Sequence, residues 1–591
     1  MHRLIAYLFL LVFGGALLPA CQQAAPERPP NLLVILTDDQ GWGDLSYSGN
    51  PHLSTPAIDA LARQGVSFDR FYVSPVCSPT RAEMLTGRYH LRGGVRGTSA
   101  GEERLDLDET TFVELFQQAG YATAAFGKWH NGMQHPYHPN SRGFDTFYGF
   151  CSGHWGDYFS PPLEENGIPV QGEGYLPDDL TDKAMDFMHA HRDEPFLVYL
   201  PLNTPHSPMQ VPDSWWERFE NKPLDSLVAG EDPDFTRAAL AMCENIDWNV
   251  GRLLEKLENL GLTENTLVVY FTDNGPNSFR WNGGMKGRKG STDEGGVRSP
   301  FFMQWKGHIP EGKVIPQIAG AIDLFPTFLD MAGLTHSGEK PLDGKSLKPL
   351  IMKEDPSWTD RMIFSHWNGN SSLRTQKYRL DKDGNLFDME SDPGQQQPVQ
   401  DQYPEVAENL REALVEWEMA MVEEQTKDPE NRPFTLGAPQ APLTQLPARD
   451  GMAHGSIQRS NRFPNDSFFT HWVSLEDSIT WEVEVLEAGD YRVEAYYTCP
   501  KGDVGAEIRL QAGTTHLDAR VKEAHDPPLE GMENDRIERM ESYVKEFKPM
   551  HLGSISLKKG IQTISLKALR IPGNQVMDVQ KLLVKPVEIT Q

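Results

Sequence analysis

A single cysteine stands in front of a proline and an arginine in the segment SPVCSPTRAEMLTGRYH, residues 74–90. The run that follows favours a helix beginning near Pro79, which places the Cys77 side chain at the positive end of that helix. A thiolate or an anionic oxygen is stabilised there, and Arg81, one turn further on, adds a fixed positive charge. This pattern alone leaves four interpretations of Cys77 open: disulfide partner, metal ligand, buried thiol and catalytic nucleophile.

Oxygen-bearing side chains follow two predicted strands. Asp38 and Asp39 come directly after the apolar run NLLVILT, and Asp273 and Asn274 come directly after TLVVYFT. Because ligands collect at the carboxyl ends of strands in open α/β sheets, we expect these side chains to meet at one sheet edge. Three carboxylates and an amide together favour a hard cation, calcium or magnesium, over zinc. Taken singly, each of them is also a common turn residue after a strand.

The predicted secondary structure that must position these residues differs between successive parts of the chain. From residue 31 to about 335, short apolar runs alternate with amphipathic segments, which predicts an α/β fold with a large, mainly parallel sheet flanked by helices. Residues 336–427 predict a small α+β subdomain that ends in a helix. The proline-rich segment 428–451 indicates a linker. In residues 452–591 apolar and polar residues alternate between glycine turns, which predicts an appended β-sandwich.

The N-terminus has the pattern of an export signal. Arg3 precedes an apolar run over residues 4–18, and small residues lead to Cys21. This run is too short for a permanent membrane span, so we predict a signal peptide over residues 1–21 and a tether over 22–30. The ending LLPAC resembles a bacterial lipoprotein signal, in which the cysteine becomes lipidated; ordinary signal-peptidase cleavage is the alternative. The expected location is the periplasm or the cell surface of a bacterium.

Charge and cysteine content exclude some functions. Fifty-five Lys and Arg against 84 Asp and Glu give a net charge of −29, which argues against a nucleic-acid partner. The same charge repels a small anionic substrate at long range unless the site carries its own cationic cluster. Five cysteines without a CxxC motif indicate neither a disulfide framework nor a zinc site. We expect Cys151, Cys243 and Cys499 to be buried thiols, or one pair of them to form a bridge.

The segment CSPTR, residues 77–81, followed by LTG, residues 85–87, resembles the signature of type I sulfatases in the alkaline phosphatase-like superfamily. Thr80 stands where many members have serine. The resemblance extends from NLLVILTDDQGWGD to LFDMESDP and implies a sulfuric ester hydrolase that is an arylsulfatase-like bacterial polysaccharide sulfatase. It also implies that Cys77 is oxidised after synthesis to formylglycine (3-oxoalanine), by a formylglycine-generating or an anaerobic maturation enzyme.

The resemblance assigns roles to individual residues. It implies that Arg81 holds the hydroxyl of the hydrated aldehyde, that His206 in TPHSP protonates the leaving group, and that Lys289, rather than Lys286, binds the sulfate. The segment GKWH matches a family segment that contacts the sulfate and the nucleophile through Lys128 and His130. The implied calcium ligands are Asp38, Asp39, Asp273 and Asn274, with residue 77 completing the set.

The expected substrate is a sulfated oligo- or polysaccharide. Two segments, residues 135–159 and 365–380, are rich in histidine, arginine and aromatic residues that suit a sugar subsite. Our candidate substrate residues are His135, His138, Arg142, His154, Trp155, His366 and Arg374. Three other functions stay open: a phosphonate or phosphodiester hydrolase of the same superfamily, an inactive sulfate-binding protein, and a glycan-binding protein whose function lies in the C-terminal module.

Overall fold

The computed structural model describes four stretches of the chain, which are residues 28–224, 230–353, 358–425 and 432–587. The predicted signal peptide with Cys21, and all of the predicted tether except residues 28–30, lie outside these stretches. Among the described residues, none of the helices is both long and apolar enough to cross a membrane.

A ten-stranded sheet organises the N-terminal half. The strands of this region are β1 (Asn31–Thr37), β2 (Val66–Phe68), β3 (Phe71–Tyr72), β4 (Ala122–Lys128), β5 (Thr146–Phe150), β6 (Pro162–Glu165), β7 (Ile168–Gln171), β8 (Phe196–Pro201), β9 (Thr266–Thr272), β10 (Arg298–Ser299), β11 (Phe301–Gln304), β12 (Lys313–Ile315) and β13 (Ala319–Gly320). The sheet order is β12-β2-β11-β9-β1-β8-β4-β5-β6-β7, while β10, β3 and β13 form a separate small sheet. The central strands β9-β1-β8-β4-β5 are all parallel, and β11, β6 and β7 add antiparallel flanks.

Helices cover both faces of this sheet. They are α1 (Pro56–Arg63), α2 (Cys77–Thr86), α3 (Phe112–Gln118), α4 (Leu176–Ala190), α5 (Asp213–Trp216), α6 (Pro233–Asn259), α7 (Glu294–Val297), α8 (Leu324–Ala332) and α9 (Lys348–Met352). Strand β1 is buried along its whole length: Leu32, Val34 and Leu36 join one hydrophobic core, and Leu33 and Ile35 join the core on the opposite face. This two-sided burial explains the continuous apolar run and confirms the predicted α/β class.

A small α+β subdomain follows. Four strands form an antiparallel sheet: β14 (Ile363–Trp367), β15 (Asn370–Arg374), β16 (Tyr378–Leu380) and β17 (Leu386–Asp388). The long helix α10 (Pro404–Gln425) packs its apolar residues, among them Leu410 and Leu414, against Leu373 and Leu380 of this sheet.

The C-terminal β module, residues 432–587, is a sandwich of two main sheets. Its strands are β18 (Phe434–Leu436), β19 (Thr444–Pro447), β20 (Met452–His454), β21 (Gln458–Arg459), β22 (Phe469–Thr470), β23 (Ser478–Val485), β24 (Gly489–Thr498), β25 (Glu507–Ala512), β26 (Thr515–Arg520), β27 (Leu529–Glu530), β28 (Val544–Lys545), β29 (Lys548–Leu557), β30 (Gly560–Arg570) and β31 (Asp578–Pro586). One sheet has the order β18-β23-β30-β25-β26 and the other β21-β22-β31-β24-β29. Trp472 and Trp481 are buried in the core between them.

The prediction that residues 428–451 form a linker is wrong for the described part, residues 432–451, which contributes two strands to the sandwich. Strand β18 pairs in parallel with β23, and β19 pairs antiparallel with β31, so both belong to the sandwich. The prolines do not break this pairing, because Pro433 precedes β18 and Pro447 ends β19. Proline is tolerated at such strand ends, which is why its abundance was a poor guide to a linker.

The four cysteines in the described part of the chain, Cys77, Cys151, Cys243 and Cys499, are all buried free thiols. The alternative of a bridge between two of them is therefore not found.

Candidate active site

Polar residues converge where four neighbouring parallel strands end. Strands β9, β1, β8 and β4 lie side by side, so their carboxyl ends form one edge of the sheet. The residues at this edge are Asp273 and Asn274 after β9, Asp38 and Asp39 after β1, His206 beyond β8, and Lys128 as the last residue of β4. The structure thus brings together residues that are up to 236 positions apart in the chain, from Asp38 to Asn274.

Helix α2 points its N-terminus at the same edge. It begins at Cys77 itself, two residues earlier than predicted, and its residues are buried along the whole length. The Thr80 hydroxyl accepts a hydrogen bond from the backbone N–H of Ser74 (2.8 Å) and donates one to the backbone carbonyl of Asp273 (2.5 Å). Thr80 therefore fastens the start of α2 to the end of β9, which fixes the position of Cys77.

Arg81 links the helix to both sides of the site. Its Nη2 donates to Oδ2 of Asp273 at 2.7 Å, and its Nη1 donates to the backbone carbonyl of Lys128 at 2.6 Å. Both Arg81 and Asp273 are fully buried. A buried guanidinium held at two points is a rigid positive charge beside residue 77.

Two lysines contact the carboxylates that follow β1. Nζ of Lys128 lies 2.5 Å from Oδ2 of Asp38, and Nζ of Lys289 lies 2.6 Å from Oδ1 of Asp39. Lys286, by contrast, has a side chain that is 46% exposed and lies 3.7 Å from Asp293. The structure therefore places Lys289, and not Lys286, at the edge where the other site residues meet.

Three buried oxygens at this edge fit a cation. Oδ1 of Asp38, Oδ2 of Asp39 and Oδ1 of Asn274 are buried and have no hydrogen-bond partner among the described residues. Leaving a buried acceptor unpaired costs about 1–3 kcal/mol, so three of them in one place need an explanation. One ligand atom each from Asp38, Cys77 and Asp273 lies within 4.8 Å of the others. A set dominated by carboxylate and amide oxygens suits Ca²⁺ or Mg²⁺.

The charges of these carboxylates support the same interpretation. Burial raises the pKa of Asp273 to about 7; Asp38 and Asp39 add to the rise, and Arg81 opposes it. Burial acts in the same direction on Asp38, but the nearby Lys128, together with His206, Arg81 and Lys289, outweighs it and holds the pKa of Asp38 below its usual value. Buried carboxylates that disfavour one another's charge are stabilised when a divalent cation sits between them.

Two histidines each have one ring nitrogen held by a backbone carbonyl. Nε2 of His130 hydrogen-bonds to the carbonyl of Thr98 (2.8 Å), and Nδ1 of His206 to the carbonyl of Ser207 (2.6 Å). Because a carbonyl can only accept a hydrogen bond, the proton of each neutral ring lies on Nε2 of His130 and on Nδ1 of His206. The other ring nitrogen, Nδ1 of His130 and Nε2 of His206, can then take up and release a second proton. Burial lowers the pKa of both rings, with Lys128 adding to the effect at His130 and Lys289 at His206.

The backbone at the site is held in an uncommon conformation. Asp39 and His130 have φ values of +63°, in the left-handed region that side-chain-bearing residues seldom adopt. Such conformations persist only where the surrounding contacts enforce them, and they cluster at functional sites. Here they occur at Asp39, directly after β1 and Asp38, and at His130, two residues after the end of β4.

Comparison with known families and proteins agrees with this geometry. The model of the family described as "Sulfatase" matches residues 30–334, and that described as "N-sulphoglucosamine sulphohydrolase, C-terminal" matches residues 289–420. The chain belongs to the sulfatase family. It is therefore a sulfuric ester hydrolase, as the motif order around Cys77 predicted.

Several characterised sulfatases are similar to this one. It is 33% identical over 388 residues to N-acetylgalactosamine-6-sulfatase of Mus musculus, and the aligned region covers 59% of this chain and 71% of that protein. It is 33% identical over 399 residues to arylsulfatase A of Homo sapiens, covering 60% and 75%. The solved structure of Ps i-CgsB in complex with k-i-k-neocarrahexaose has a TM-score of 0.60 at 30% identity and covers 66% of this chain and 93% of that one. Both family matches end by residue 420, so the C-terminal β module lies outside them.

That module nevertheless reaches the active site of the sulfatase. Oγ of Ser207, next to His206, donates a hydrogen bond to the carboxylate of Glu541. Nδ2 of Asn465 donates to the carbonyl of Thr98 (3.4 Å), the same carbonyl that holds His130. Sequence reasoning missed Glu541 and Asn465, because no local pattern indicates which loops of a module contact a site formed more than 300 residues earlier.

Gly153 fills the narrow gap between the histidine and the module. A Cβ atom added at Gly153 would lie 2.3 Å from Nε2 of His130 and 3.0 Å from Nδ2 of Asn465. A side chain at this position would therefore displace the imidazole or the amide. The absence of a side chain is the only sequence signal of this contact.

Among the predicted substrate residues, the structure places His154 at the active site. Its ring centroid lies 5.7 Å from that of His206, and neither of its buried ring nitrogens has a hydrogen-bond partner among the described residues. Trp155 stacks on Phe150 (4.9 Å between centroids) and lines a cavity of about 480 Å³ against the C-terminal β module. His154 thus has two unpartnered ring nitrogens beside His206, whereas Trp155 lines the neighbouring cavity.

Two predicted substrate residues make structural contacts. Arg142 is buried and donates to Glu114 and to the backbone carbonyls of Leu105, Asp106 and Glu109. Arg374, also buried, donates to Ser365 and to the carbonyl of Thr292. Protein acceptors occupy the whole guanidinium of Arg142 and both Nη atoms of Arg374, while Nε of Arg374 has no hydrogen-bond partner among the described residues. These contacts give both arginines a structural role, and their contact with substrate stays a prediction.

The remaining three candidates lie in other polar groups. His135 and His138 stack on each other with centroids 4.4 Å apart, and Nε2 of His138 lies 3.4 Å from a carboxylate oxygen of Glu164. His366 shares a hydrogen bond with Oγ of Ser371 (2.8 Å) at the end of β14. These histidines are not brought into contact with Cys77, Lys128 or Lys289 by any interaction of the described residues.

Proposed function

We propose that this sulfatase hydrolyses sulfate ester groups of a sulfated oligo- or polysaccharide, with residue 77 in its formylglycine form and with a bound Ca²⁺ ion. The observation that carries the proposal is the set of three unpaired buried oxygens, on Asp38, Asp39 and Asn274, at one edge of the sheet. At this edge Asp38 also approaches Cys77, and Lys128 and Lys289 contact the two aspartates. A site with both unsatisfied anionic oxygens and buried ammonium groups fits a cation and an anion bound together.

The proposed metal ligands are Asp38, Asp39, Asp273 and Asn274, with residue 77 completing the set. When bound, the ion would supply positive charge to the sulfate oxygens and to residue 77. Calcium is preferred over magnesium, because these protein side chains already offer several oxygens, whereas Mg²⁺ usually retains water molecules and needs few protein ligands.

Formylglycine at residue 77 would supply, as an aldehyde hydrate, the oxygen nucleophile of the reaction. The chain's own residues support this assignment. Burial raises the pKa of the Cys77 thiol, and Lys128 opposes the rise without reversing it. An unmodified Cys77 is therefore a protonated thiol and a poor nucleophile at neutral pH. Arg81 and the N-terminus of α2 would orient the modified side chain.

Four side chains have roles that follow from their contacts. Lys128 and Lys289 bind the sulfate oxygens and offset the negative charge that grows there in the transition state. In its doubly protonated form, His206 gives the Nε2 proton to the leaving alcohol oxygen and keeps the Nδ1 proton on the Ser207 carbonyl. The carboxylate of Asp39, 3.8 Å from Nε2, favours that form. His130, held at Nε2 by the Thr98 carbonyl, moves a proton through Nδ1 at residue 77.

The sugar part of the substrate is proposed from the relatives and from the position of His154. One relative is named as an N-acetylgalactosamine-6-sulfatase, and a similar solved structure is a complex with neocarrahexaose. Both names refer to carbohydrate. His154, with two unpaired ring nitrogens beside His206, is our candidate for a hydrogen bond to a sugar hydroxyl.

We also propose the cellular setting that the sequence predicts. The signal peptide over residues 1–21 would export the protein to the periplasm or the cell surface of a bacterium, with Cys21 as the point of lipid attachment. A formylglycine-generating or anaerobic maturation enzyme would be the partner that modifies Cys77. Fractionation of the native host, with detection of the mature N-terminus, tests both the export and the lipid.

The proposed reaction is tested by product analysis on the purified, matured protein. We expect sulfate release from at least one member of a panel of defined sulfated oligosaccharides and from 4-nitrophenyl sulfate, with bis(4-nitrophenyl) phosphate cleaved far more slowly. The variant Cys77→Ala, prepared in the same way, is expected to release no sulfate. A preference for the phosphodiester, or equal sulfate release by Cys77→Ala, would contradict the proposal.

A further inference from the structure

A strongly basic groove lies between the α/β domain and the C-terminal β module. It has a volume of about 750 Å³, within the range of ligand-binding sites in proteins. We call it the arginine groove, after six of its lining residues: Arg96, Arg104, Arg432, Arg449, Arg459 and Arg462. Three carboxylates also line it. In a chain with a net charge of −29, a groove with twice as many arginines as carboxylates has the opposite sign to the rest of the molecule.

Not all of this positive charge is neutralised by the protein. Arg449 pairs with Asp450 at 2.7 Å, but Arg459 donates to the carbonyls of Ala448 and Gly451, which carry no net charge. Arg104 likewise donates to backbone carbonyls and lies over the Phe434 ring. Among the described residues, neither Arg459 nor Arg104 forms an ion pair with a carboxylate. The groove therefore keeps a net positive field.

Arg462 is the arginine best placed to meet a ligand. Its side chain is exposed, and its guanidinium lies 4.6 Å from the ring centroid of its neighbour Phe463. In the described part of the chain it has neither an ion-pair partner nor a hydrogen-bond acceptor. His454, also exposed, lies on the same groove and adds a second side chain that can donate.

Residues next to the groove's lining contact the active site. The groove's α/β wall runs through Arg96 and Ala100, and Thr98 between them presents its carbonyl to His130. Its opposite wall includes Pro464, and the next residue, Asn465, donates to the same Thr98 carbonyl. A chain molecule lying in the groove would thus reach the rim of the site.

We propose that the arginine groove binds sulfate groups on sugars beyond the one that is desulfated, so that the enzyme holds a multiply sulfated chain. This inference rests on the proposed function for its biological meaning. Its physical basis is charge complementarity: guanidinium groups donate paired hydrogen bonds to anionic oxygens, and a sulfate ester keeps its charge at all physiological pH values. Because the acidic surface elsewhere repels a polyanion, a local basic groove is needed for such a chain to approach.

Binding of fluorescent dextran sulfate to the full-length protein tests the groove without any need for catalysis. Neutral dextran of the same length is the control for sugar contacts. We expect anisotropy to show binding of dextran sulfate only, and to show it weaken as salt rises, because exposed charges are screened. Arg462→Glu is expected to weaken binding at low salt by about threefold or more, and Arg462→Glu combined with His454→Glu by a larger factor.

The matched control is Arg520→Glu, another exposed arginine of the module, on the strand at the far edge of its sheet. It is expected to bind dextran sulfate like the wild type. Equal binding by wild type, Arg462→Glu and the double variant would overturn the proposal, as would equal binding of neutral dextran. These variants carry surface changes, and a thermal unfolding scan of each establishes that loss of binding is not loss of folding.

A kinetic comparison separates this inference from the proposed function. In the matured enzyme, Arg462→Glu is expected to lower kcat/KM for a sulfated polysaccharide relative to kcat/KM for 4-nitrophenyl sulfate, through a higher KM; Arg520→Glu should leave that ratio unchanged. If neither substrate releases sulfate, the proposed function fails while the binding result still decides the groove. If both are turned over and the ratio does not change in Arg462→Glu, the groove proposal fails alone.

Discussion

Replacing Lys289 by alanine removes one cation from the proposed sulfate site. Its Nζ lies 2.6 Å from Oδ1 of Asp39, and its side chain is 16% exposed. Burial acts to lower its pKa, but the charge of Asp39, together with the other neighbouring groups, outweighs burial and raises the pKa of Lys289 above its usual value. Lys289 is therefore a permanent cation, held in place before substrate arrives.

The size of the effect follows from that geometry. A preorganised donor facing the charge that develops in the transition state contributes about 2.7–4 kcal/mol, so Lys289→Ala is expected to lower kcat by about 10²–10³. Lys286→Ala is the matched control: its side chain is 46% exposed, and its ion pair with Asp293 is 3.7 Å long. Exposed pairs contribute about 0–1 kcal/mol, so its loss should stay within about fivefold.

The assay is the initial rate of sulfate release over a range of substrate concentrations. Each preparation is first analysed for the fraction of residue 77 that has been modified, since unequal maturation would imitate a catalytic defect. If Lys289→Ala keeps more than about one tenth of the wild-type kcat, or if Lys286→Ala loses as much as Lys289→Ala, the assignment of Lys289 to the sulfate is refuted.

Three further predictions concern the metal, the packing and the module. Removing divalent cations with a chelator should lower Tm, and should lower it more at pH 8 than at pH 5. The pKa of Asp273 is raised to about 7 in the folded protein without the ion. The folded state is therefore stabilised at low pH, where this carboxyl is protonated, and loses that stability as the carboxyl ionises. Gly153→Ala should lower kcat/KM at least about tenfold by pushing a methyl group against Nε2 of His130. Glu541→Ala should lower kcat/KM about fivefold, since it removes the acceptor of the Ser207 hydroxyl beside His206, and Glu541→Gln should restore most of it.

Each of these has a control and a contrary outcome. For the metal, differential scanning fluorimetry should show Tm restored by added Ca²⁺; a Tm that ignores both chelator and Ca²⁺ would exclude the cation site. Gly502→Ala, where an added Cβ meets no atom within 4 Å, should keep full activity. Glu538→Ala, an exposed acid in the same loop as Glu541, should do likewise. Full activity in Gly153→Ala would show that this close packing does not position His130, and full activity in Glu541→Ala would show that its contact with Ser207 does not position His206.

The chemistry at the sheet edge was predictable because parallel strands constrain it. Strands that are buried on both faces have continuous apolar sequences, so β1 and β9 could be predicted from the sequence. Because the two strands are parallel neighbours, the residues that follow them lie at the same edge of the sheet. That is why Asp38 and Asp273, far apart in the chain, were expected together. The order of the Lys and His motifs then identified the family more reliably than Cys77 alone.

Other features were not predictable, because they depend on how distant surfaces dock. Arginine is equally suited to a substrate and to a set of backbone carbonyls, so Arg142 in a polar segment did not reveal its structural role. Prolines at strand ends made the segment that holds β18 and β19 look like a linker. The contribution of Glu541 and the form of the arginine groove arise from contact between two separately folded regions, for which a single sequence carries no periodic signal.

The proposed mechanism depends above all on the chemical state of residue 77. Tryptic cleavage after Arg70 and Arg81 releases residues 71–81, FYVSPVCSPTR, as one peptide suited to mass spectrometry. In active protein from the native host, we predict that this peptide has the mass of an aldehyde side chain in place of the thiol, and that the modified fraction rises in proportion to the rate of sulfate release. An unmodified cysteine in protein that releases sulfate at full rate would contradict the mechanism.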